Sequence, residues 1–290
     1  MSLLVRINLI LGATLLFAAI ALSYGCQSLL QSNAKLEVIR EARLMLDSAL
    51  AIRNYTSSEI LPLLESRMKA EFLPQGVPFY SATQNFLKLR EQHPQYAYKE
   101  ATLNPTNLRD RATDWEADLI QQFRNDPRTH EITGERDTPT GRSLYLARPI
   151  HVESACLECH GSPAAAPTTL VARYGHDNGF GWQANEVVGA SVVSVPLARA
   201  SASADAAFRI IMFWIIAVFA TAMLVVNTTV YLSVVRPVRR IAAIADELSV
   251  GNASAGEFPP GRGPELTALT RSFNRMRTSL EKAMKLLEPP

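Results

Sequence analysis

Cysteine is scarce in this sequence, and neither sign of charge is in clear excess. Only 3 of the 290 residues are cysteines, and Cys26 lies far from the other two. A structural zinc site would need further Cys or His pairs at short spacing, which the sequence lacks. The 29 basic residues nearly balance the 27 acidic ones, and 48% of the residues are hydrophobic. This composition excludes a nucleic-acid-binding protein and a disordered chain, so we expect no nucleic acid partner.

The sequence also lacks an arrangement of residues that would carry out a reaction. No Ser/His/Asp constellation stands out, and no pair of carboxylates is placed for acid and base catalysis. We therefore expect that this protein is not an enzyme.

What is present is a short motif that contains the other two cysteines, Cys156-Leu157-Glu158-Cys159-His160. Cys-x-x-Cys-His is the spacing of c-type haem attachment. Each thiol can form a thioether with one haem vinyl group, and the adjacent imidazole can reach the iron from the same face of the ring. The motif predicts a covalent haem c that is attached to Cys156 and Cys159, with His160 as the proximal iron ligand.

The sequence offers four candidates for the ligand on the other face of the iron. Met45, Met68, His151 and His176 are the candidates, and a methionine would raise the reduction potential relative to a second histidine. A helix packed over the haem can place a thioether there, which favours Met45. The alternative is that Met45 is an ordinary core residue.

Two long runs without charge frame the motif, from Ile7 to Tyr24 and from Ile210 to Val235. About 20 apolar residues cross a bilayer, so the second run is predicted to be a transmembrane helix. The first is either a signal peptide or a retained anchor, and we favour the anchor. The arginines after the second run, Arg236, Arg239 and Arg240, predict a cytoplasmic C-terminal segment by the positive-inside rule. The haem segment would then be exported.

The exported segment shows two periodicities. Apolar spacings of three and four predict a helix from Leu29 to about Glu71, with Leu36, Leu46 and Leu50 on one face, and a second helix from Trp115 to Phe123. Alternation around Leu144 to Arg148 and the valine-rich run from Val187 to Val195 predict strands. We therefore expect an α+β fold, with the haem motif between the strands.

A turn between those strands includes Arg173, Phe180 and Trp182. It is either a glycine-rich turn packed by aromatic residues or one wall of the haem pocket. In the second case Phe180 and Trp182 supply apolar surface, and Arg173 lies near a haem propionate.

After the second apolar run, a helix that begins near Pro237 is followed by a Gly-, Ser- and Pro-rich linker from Ser249 to Pro264. The next helix carries a continuous seam at spacings of three and four, which comprises Leu266, Leu269, Phe273, Met276, Leu280, Ala283 and Leu287. Such a seam is typical of a helix that packs in a coiled coil, so we expect a homodimer with a four-helix bundle. An amphipathic helix on the bilayer is the weaker alternative, because the polar face has mixed charge.

This last segment, about residues 232 to 285, resembles a HAMP domain, the signal-relay module of bacterial membrane receptors. The residues that carry the resemblance are Pro237 just after the span, Glu265 at the start of the second helix, and the following Phe273-Asn274-Arg275-Met276. The segment from about 100 to 195 resembles the periplasmic haem c sensor domain with a PAS-like fold that precedes HAMP domains. That second resemblance rests on the haem motif and on Asn104-Pro105-Thr106-Asn107, Trp115-Glu116, Arg148-Pro149-Ile150, Arg173-Tyr174-Gly175, Gly179-Phe180-Gly181-Trp182 and Glu186-Val187-Val188-Gly189.

The resemblance implies a transmembrane sensor in the bacterial inner membrane, in which Arg148 also belongs to the haem site. Its predicted parts are an N-terminal membrane helix or anchor (1-25), a periplasmic haem domain (26-207), a membrane helix (208-235) and a cytoplasmic relay (236-290). Redox change or a diatomic ligand such as O2, CO or NO would be sensed at the haem. A separate cytoplasmic output protein, such as a histidine kinase or a chemotaxis component, would receive the signal. The alternative is a membrane-anchored monohaem cytochrome that carries electrons.

Overall fold

The computed structural model describes residues 3–139, 141–250, 256–259 and 263–287, and the side chains within them up to residue 282. The chain forms two compact units, Gln27–Phe208 and the remainder, which combines Met1–Cys26 with Arg209–Pro290. The first unit contains helices and one sheet, so the predicted mixture of helix and strand is confirmed for this segment.

The N-terminal helix α1 (Leu3–Tyr55) continues through a π-helical turn (Thr56–Ile60) into α2 (Leu61–Met68). The long predicted helix is therefore confirmed, but its buried face shares only Leu46 with the three residues named from the sequence. Val38, Ala42, Leu46 and Ala49 are buried, whereas Leu36 and Leu50 are 49% and 46% exposed. The two alanines on the buried face let the α1 backbone approach the sheet closely.

The sheet has four antiparallel strands in the order β1-β4-β3-β2. Their bounds are β1 (Ala97–Thr102), β2 (Ile132–Thr138), β3 (Gly141–His151) and β4 (Val187–Pro196). The strand predictions around Leu144 and Val187 are confirmed within β3 and β4. As a central strand, β4 is buried on both faces, which accounts for its mostly small and apolar residues.

Helices cover both faces of the sheet. Val193 packs with Leu46 of α1, while its neighbour Val192 packs with Phe123 of α4 (Asp114–Asn125), as the alternation of side chains along a strand requires. The predicted second helix, which includes Trp115, is thus confirmed as α4. Three other helices complete this unit, namely α3 (Pro78–Gln92), α5 (Leu157–His160) and α6 (Thr168–Tyr174).

The next helix, α7 (Leu197–Val230), begins directly after β4 and passes through a π-helical turn (Tyr231–Val235) into α8 (Arg236–Ser249). The continuous helices Leu4–Met68 and Leu197–Ser249 are both long and apolar enough to cross a membrane, judged by length and composition. The final helix is α9 (Pro264–Leu287).

Half of the predicted linker from Ser249 to Pro264 lies outside the described residues, as do the side chains of Ala283 and Leu287. The described part of the linker contacts α9 through Phe258, which is buried and whose ring centroid is 5.1 Å from that of Phe273. The Asn274 side chain pairs with both backbone groups of Phe258, at 3.1 Å each.

Candidate haem-binding site

The Cys-x-x-Cys-His motif lies just beyond the end of β3. A 3-10 turn (Ser154–Cys156) leads into the single helical turn α5, and both cysteines are free thiols that are half-buried. Because residues three and four apart share one side of a helical turn, Cys156, Cys159 and His160 point toward the same space. The predicted proximity of the three side chains follows from this turn.

All three side chains line one cavity of about 430 Å³, which is within the usual range for ligand pockets. The walls come from α1, α2, α3, β1 and the loops around the motif, and they are largely apolar. The apolar lining residues include Leu50, Leu61, Met68, Phe72, Phe79, Ile150, Leu170 and Trp182.

His160 is oriented by a backbone carbonyl. Its Nδ1 atom lies 2.7 Å from the carbonyl oxygen of Gly179. A carbonyl oxygen only accepts, so Nδ1 carries the proton and Nε2 keeps a free lone pair. Burial lowers the pKa of His160, and the hydrogen bond to Gly179 opposes this only in part. The imidazole is therefore neutral near pH 7, as an iron ligand must be.

The Gly179 segment is fixed to the motif by several hydrogen bonds. Gly181 donates from its backbone nitrogen to the carbonyl of Gly161 at 2.8 Å, and Trp182 donates likewise to His160 at 3.2 Å. Asn104 accepts from the backbone nitrogen of Gly179 at 3.1 Å. The Trp182 ring also stacks on the His160 imidazole, with centroids 4.0 Å apart and planes 11° from parallel. Neither the imidazole nor its supporting loop is free to rotate.

The Cys159 thiol lies in a setting that keeps it protonated. Burial is the main cause that raises its pKa, and the nearby Glu158 and Cys156 raise it further. A protonated thiol is a poor nucleophile and a poor ligand for a metal ion. Moreover, no cluster of three or more His, Cys, Asp or Glu side chains among the described residues could hold a metal ion. A zinc ion would therefore lack a complete set of ligands among the described residues.

Of the three residues predicted for the pocket wall, Arg173, Phe180 and Trp182, the structure places Trp182 in the cavity lining. Phe180 and Arg173 do not line it, although the backbone carbonyl of Phe180 accepts from Asn104 at 3.4 Å. Arg173 is exposed, with its guanidinium carbon 5.7 Å from the centroid of the Tyr174 ring. The pocket-wall interpretation thus applies to Trp182, and the packed-turn interpretation fits Phe180 and Arg173.

Arg148 also lies away from the cavity. Its guanidinium pairs with Asp47 of α1 at 2.6 Å and with Glu131 at 3.2 Å. As its side chain is already held by two carboxylates at the surface between α1 and β3, the structure does not bring Arg148 to the haem site.

Met45 packs in the core with Tyr98, against the clusters around Leu46 and Ala49, and does not line the cavity. The structure therefore does not support Met45 as an iron ligand, because α1 turns that side chain toward the sheet. Met68 and His151 do line the cavity. His176 is 75% exposed and lies beside Asp177.

Several charged residues in the cavity wall were not predicted as site residues. Arg53 of α1 and Arg109 both line it, as do Glu100 of β1 and Asp110. The guanidinium carbon of Arg53 lies 3.7 Å from the centroid of the Phe79 ring. One indication of Arg53 was present in the sequence, which is a positive charge among the mostly apolar residues that recur at spacings of three and four in α1.

Comparison with known families identifies both segments. The model of the Tll0287-like family matches residues 31–196, which is more than half of the chain. The chain belongs to the Tll0287-like family. The HAMP domain model matches residues 230–282. The two matches confirm the predicted resemblance to a haem sensor domain joined to a HAMP domain.

One solved structure that resembles the Tll0287-like domain is the crystal structure of the cyanobacterial heme-protein Tll0287. It shares 16% sequence identity with this chain, covers 55% of this chain and 95% of its own length, and has a TM-score of 0.44. No curated protein sequence matches the chain.

Proposed function

We propose that the Tll0287-like domain binds haem c covalently, with Cys156 and Cys159 forming the thioethers and His160 holding the iron. The observation that carries this proposal is the hydrogen bond from His160 Nδ1 to Gly179, which leaves Nε2 free in the same cavity as both thiols. The apolar lining and the volume of the cavity also fit a porphyrin.

Arg53 and Arg109 would hold the haem propionates in this proposal. They line the cavity, whereas Arg148 and Arg173 do not. A guanidinium pairs well with a carboxylate because its planar set of donors matches the two oxygens. The propionate partners would therefore come from α1 and from the 3-10 turn Leu108–Asp110.

When bound, the haem supplies one-electron redox chemistry and an iron that can take a diatomic ligand such as O2, CO or NO. The chain's own residues would orient and enclose it. His160 is fixed by Gly179, and Trp182 covers one side of the imidazole. Met68 and His151 line the same cavity and are the candidates for a second iron ligand. The proposed role is sensing and not catalysis.

The two long apolar helices would cross the bacterial inner membrane on either side of a periplasmic haem domain with a PAS-like fold. Arg236, Arg239 and Arg240 then lie on the cytoplasmic side, together with the HAMP domain. HAMP domains act in signalling relays, which favours a sensor over an electron carrier. The relay would work as a homodimer and pass its state to a separate cytoplasmic output protein.

The experiment that tests this function is extraction of the purified full-length protein with acidified acetone. The haem should remain with the protein, because thioether bonds survive the acid. A variant with Cys156→Ala and Cys159→Ala should retain none after extraction, while Cys26→Ala, as the control cysteine, should behave like the unmodified protein. Complete extraction of haem from the unmodified protein would reject covalent attachment. Spectra with and without CO and NO would then test ligand sensing.

A further inference from the structure

A carboxyl group is buried in the cavity wall on the side of β1. Glu100 is only 4% exposed, yet it lines the cavity. Three side chains from three elements surround its two oxygens. Tyr98 of β1 donates its hydroxyl to Oε1, Ser191 of β4 donates to Oε2 at 2.9 Å, and Arg53 of α1 places Nη1 3.9 Å from Oε1.

These surroundings shift the pKa of Glu100 in opposite directions. Burial raises its pKa, and the negative charge of Asp110 adds to this effect. The positive charge of Arg53 and the hydrogen bonds from Tyr98 and Ser191 lower it. Burial also raises the pKa of Tyr98, which keeps its phenol protonated. For Glu100, burial is the largest of these effects, so its pKa is raised overall.

The cluster can accommodate both forms of Glu100. The ionised form accepts hydrogen bonds from Tyr98 and Ser191 and is attracted by the Arg53 guanidinium 3.9 Å away. For the neutral form, the Ser191 hydroxyl can rotate and accept the carboxyl proton, since a hydroxyl both donates and accepts. Neither form leaves a buried oxygen without a partner.

We propose that Glu100 takes up one proton from water when the haem iron in this cavity is reduced, and releases it on oxidation; this rests on the proposed haem site. The electron comes from an external one-electron reductant, which is oxidised as Fe(III) becomes Fe(II). The Glu100 carboxylate becomes a neutral carboxyl in the same step, so the net charge in the cavity is unchanged. An added electron in a poorly solvated cavity disfavours a second negative charge there, which drives the protonation.

Protonation would also change the contact between α1 and the sheet. The Arg53 guanidinium loses the ionic attraction of Glu100 and keeps its position over Phe79. The redox state of the iron would thereby alter the force between the helix that leads to the membrane and strand β1.

The test is a spectroelectrochemical titration of the full-length haem protein from about pH 5 to about pH 9, the range in which buried carboxyls titrate. The midpoint potential should fall with rising pH, with a slope that approaches about 59 mV per pH unit, because one proton accompanies one electron. In Glu100→Gln, which keeps the shape but cannot ionise, the slope should vanish. Tyr98→Phe removes a donor to the carboxylate and should move the sloping region to higher pH.

Two matched variants separate Glu100 from other carboxyls. Asp110→Asn neutralises the other acid that faces Glu100 and should keep the slope. Glu116→Gln removes a buried carboxyl that pairs with Lys99 outside the cavity, and it should also keep the slope. A slope that persists in Glu100→Gln or disappears in Asp110→Asn overturns the proposal, as does a potential that is independent of pH in the unmodified protein. Absence of attached haem would instead contradict the proposed function.

Discussion

Gly179 supports His160 with a backbone atom, so the orientation of the imidazole depends on the path of the chain at that glycine. The φ angle of Gly179 is +85°, in the region that favours glycine. A Cβ atom there would also collide with the Thr106 side chain and lie 2.7 Å from the Thr106 backbone nitrogen. Both the conformation and the close approach require glycine.

Gly179→Ala should therefore cost more stability than the same change at Gly181. Gly181 has a φ of +80° but nothing within 4 Å of an added Cβ, so its substitution tests conformational strain alone. We expect Gly181→Ala to cost about 1–3 kcal/mol. Gly179→Ala should cost about 1–3 kcal/mol more, through overpacking against Thr106.

Urea denaturation of both variants measures the difference, and the oxidised haem spectrum reports on the iron ligand. The spectrum should change in Gly179→Ala and stay unchanged in Gly181→Ala. Equal losses of stability would show that the contact with Thr106 is unimportant.

The lowered pKa of His160 also predicts how stability depends on pH when haem is absent. The unfolded state takes up a proton on His160 near the ordinary value of about 6.5, before the folded state does. The folded state then binds fewer protons, so the free energy of unfolding should fall as pH decreases through that value.

Urea denaturation of the Cys156→Ala, Cys159→Ala protein at about pH 7.5 and pH 5.5, on either side of the ordinary histidine pKa, measures this loss. His160→Gln in that background should reduce it, whereas the same change at the exposed His176 should not. An identical pH dependence in the His160 variant would contradict the burial argument.

At the scale of elements, ion pairs tie α1 to the strand pair β2 and β3. Arg148 pairs with Asp47, Arg43 pairs with Glu131, and Lys35 pairs with Glu135 at 2.7 Å. The α1 residues in these ion pairs precede the cavity residues Leu50 and Arg53 in the sequence. Their role is to fix the helix on the sheet.

Arg148→Met should consequently lower stability without affecting the haem. We expect a loss of about 1 kcal/mol, since these pairs are partly exposed and screened by solvent. Arg53→Met is the matched comparison, because it removes the same charge from the cavity wall. It should lower the midpoint potential, since a nearby positive charge favours the reduced iron.

A redox titration of the two variants distinguishes the arginines. A larger shift in Arg148→Met than in Arg53→Met would place Arg148 at the haem after all.

The elements that could be predicted from the sequence were those whose own hydrophobic pattern indicates burial, without knowledge of the segment that packs against them. The valines of β4 and the spacing of Trp115, Leu119 and Phe123 in α4 indicate burial by themselves. In β1, the buried Glu100 breaks the apolar alternation, and its partners Arg53 and Ser191 are distant in sequence. For α1, the periodicity indicated a helix. It could not show that the side of the helix with Ala42 and Ala49 would pack closely in the core.

The same reasoning explains the result at the site. Cys156, Cys159 and His160 are brought together by one local turn, so their spacing predicts their proximity. Met45, Arg148 and Arg173 depend on which way a helix or strand faces in the tertiary structure. Residue spacing carries no information about that choice.

At the scale of the whole molecule, the described part of α9 leaves apolar side chains without cover within the chain. Leu269, Met276 and Leu280 are exposed, while Phe273 contacts Phe258. Their spacing of three and four is that of a helix that packs against another helix. A second copy of the chain would bury them.

Met276→Asp should weaken dimerisation, because a buried charge without a partner is costly. Phe273→Asp should do the same but also disturbs the contact with Phe258, so Met276 is the sharper test. Ser279→Asp adds the same charge at an exposed position off the seam and serves as the control. Amine crosslinking in membranes measures the dimer fraction. Similar crosslinking in Met276→Asp and Ser279→Asp would show that the seam does not form the dimer contact.

The junction at Pro196 and Leu197 joins a strand to a helix with no residue in between. If a loop joined a strand to a helix, its backbone dihedral angles could absorb a small displacement of the strand before the helix moved. β4 is hydrogen-bonded along both edges, to β1 and to β3, so it is a stiff member of the sheet. Because no loop separates β4 from α7, we expect a small tilt or shift of that strand to move the start of α7 directly.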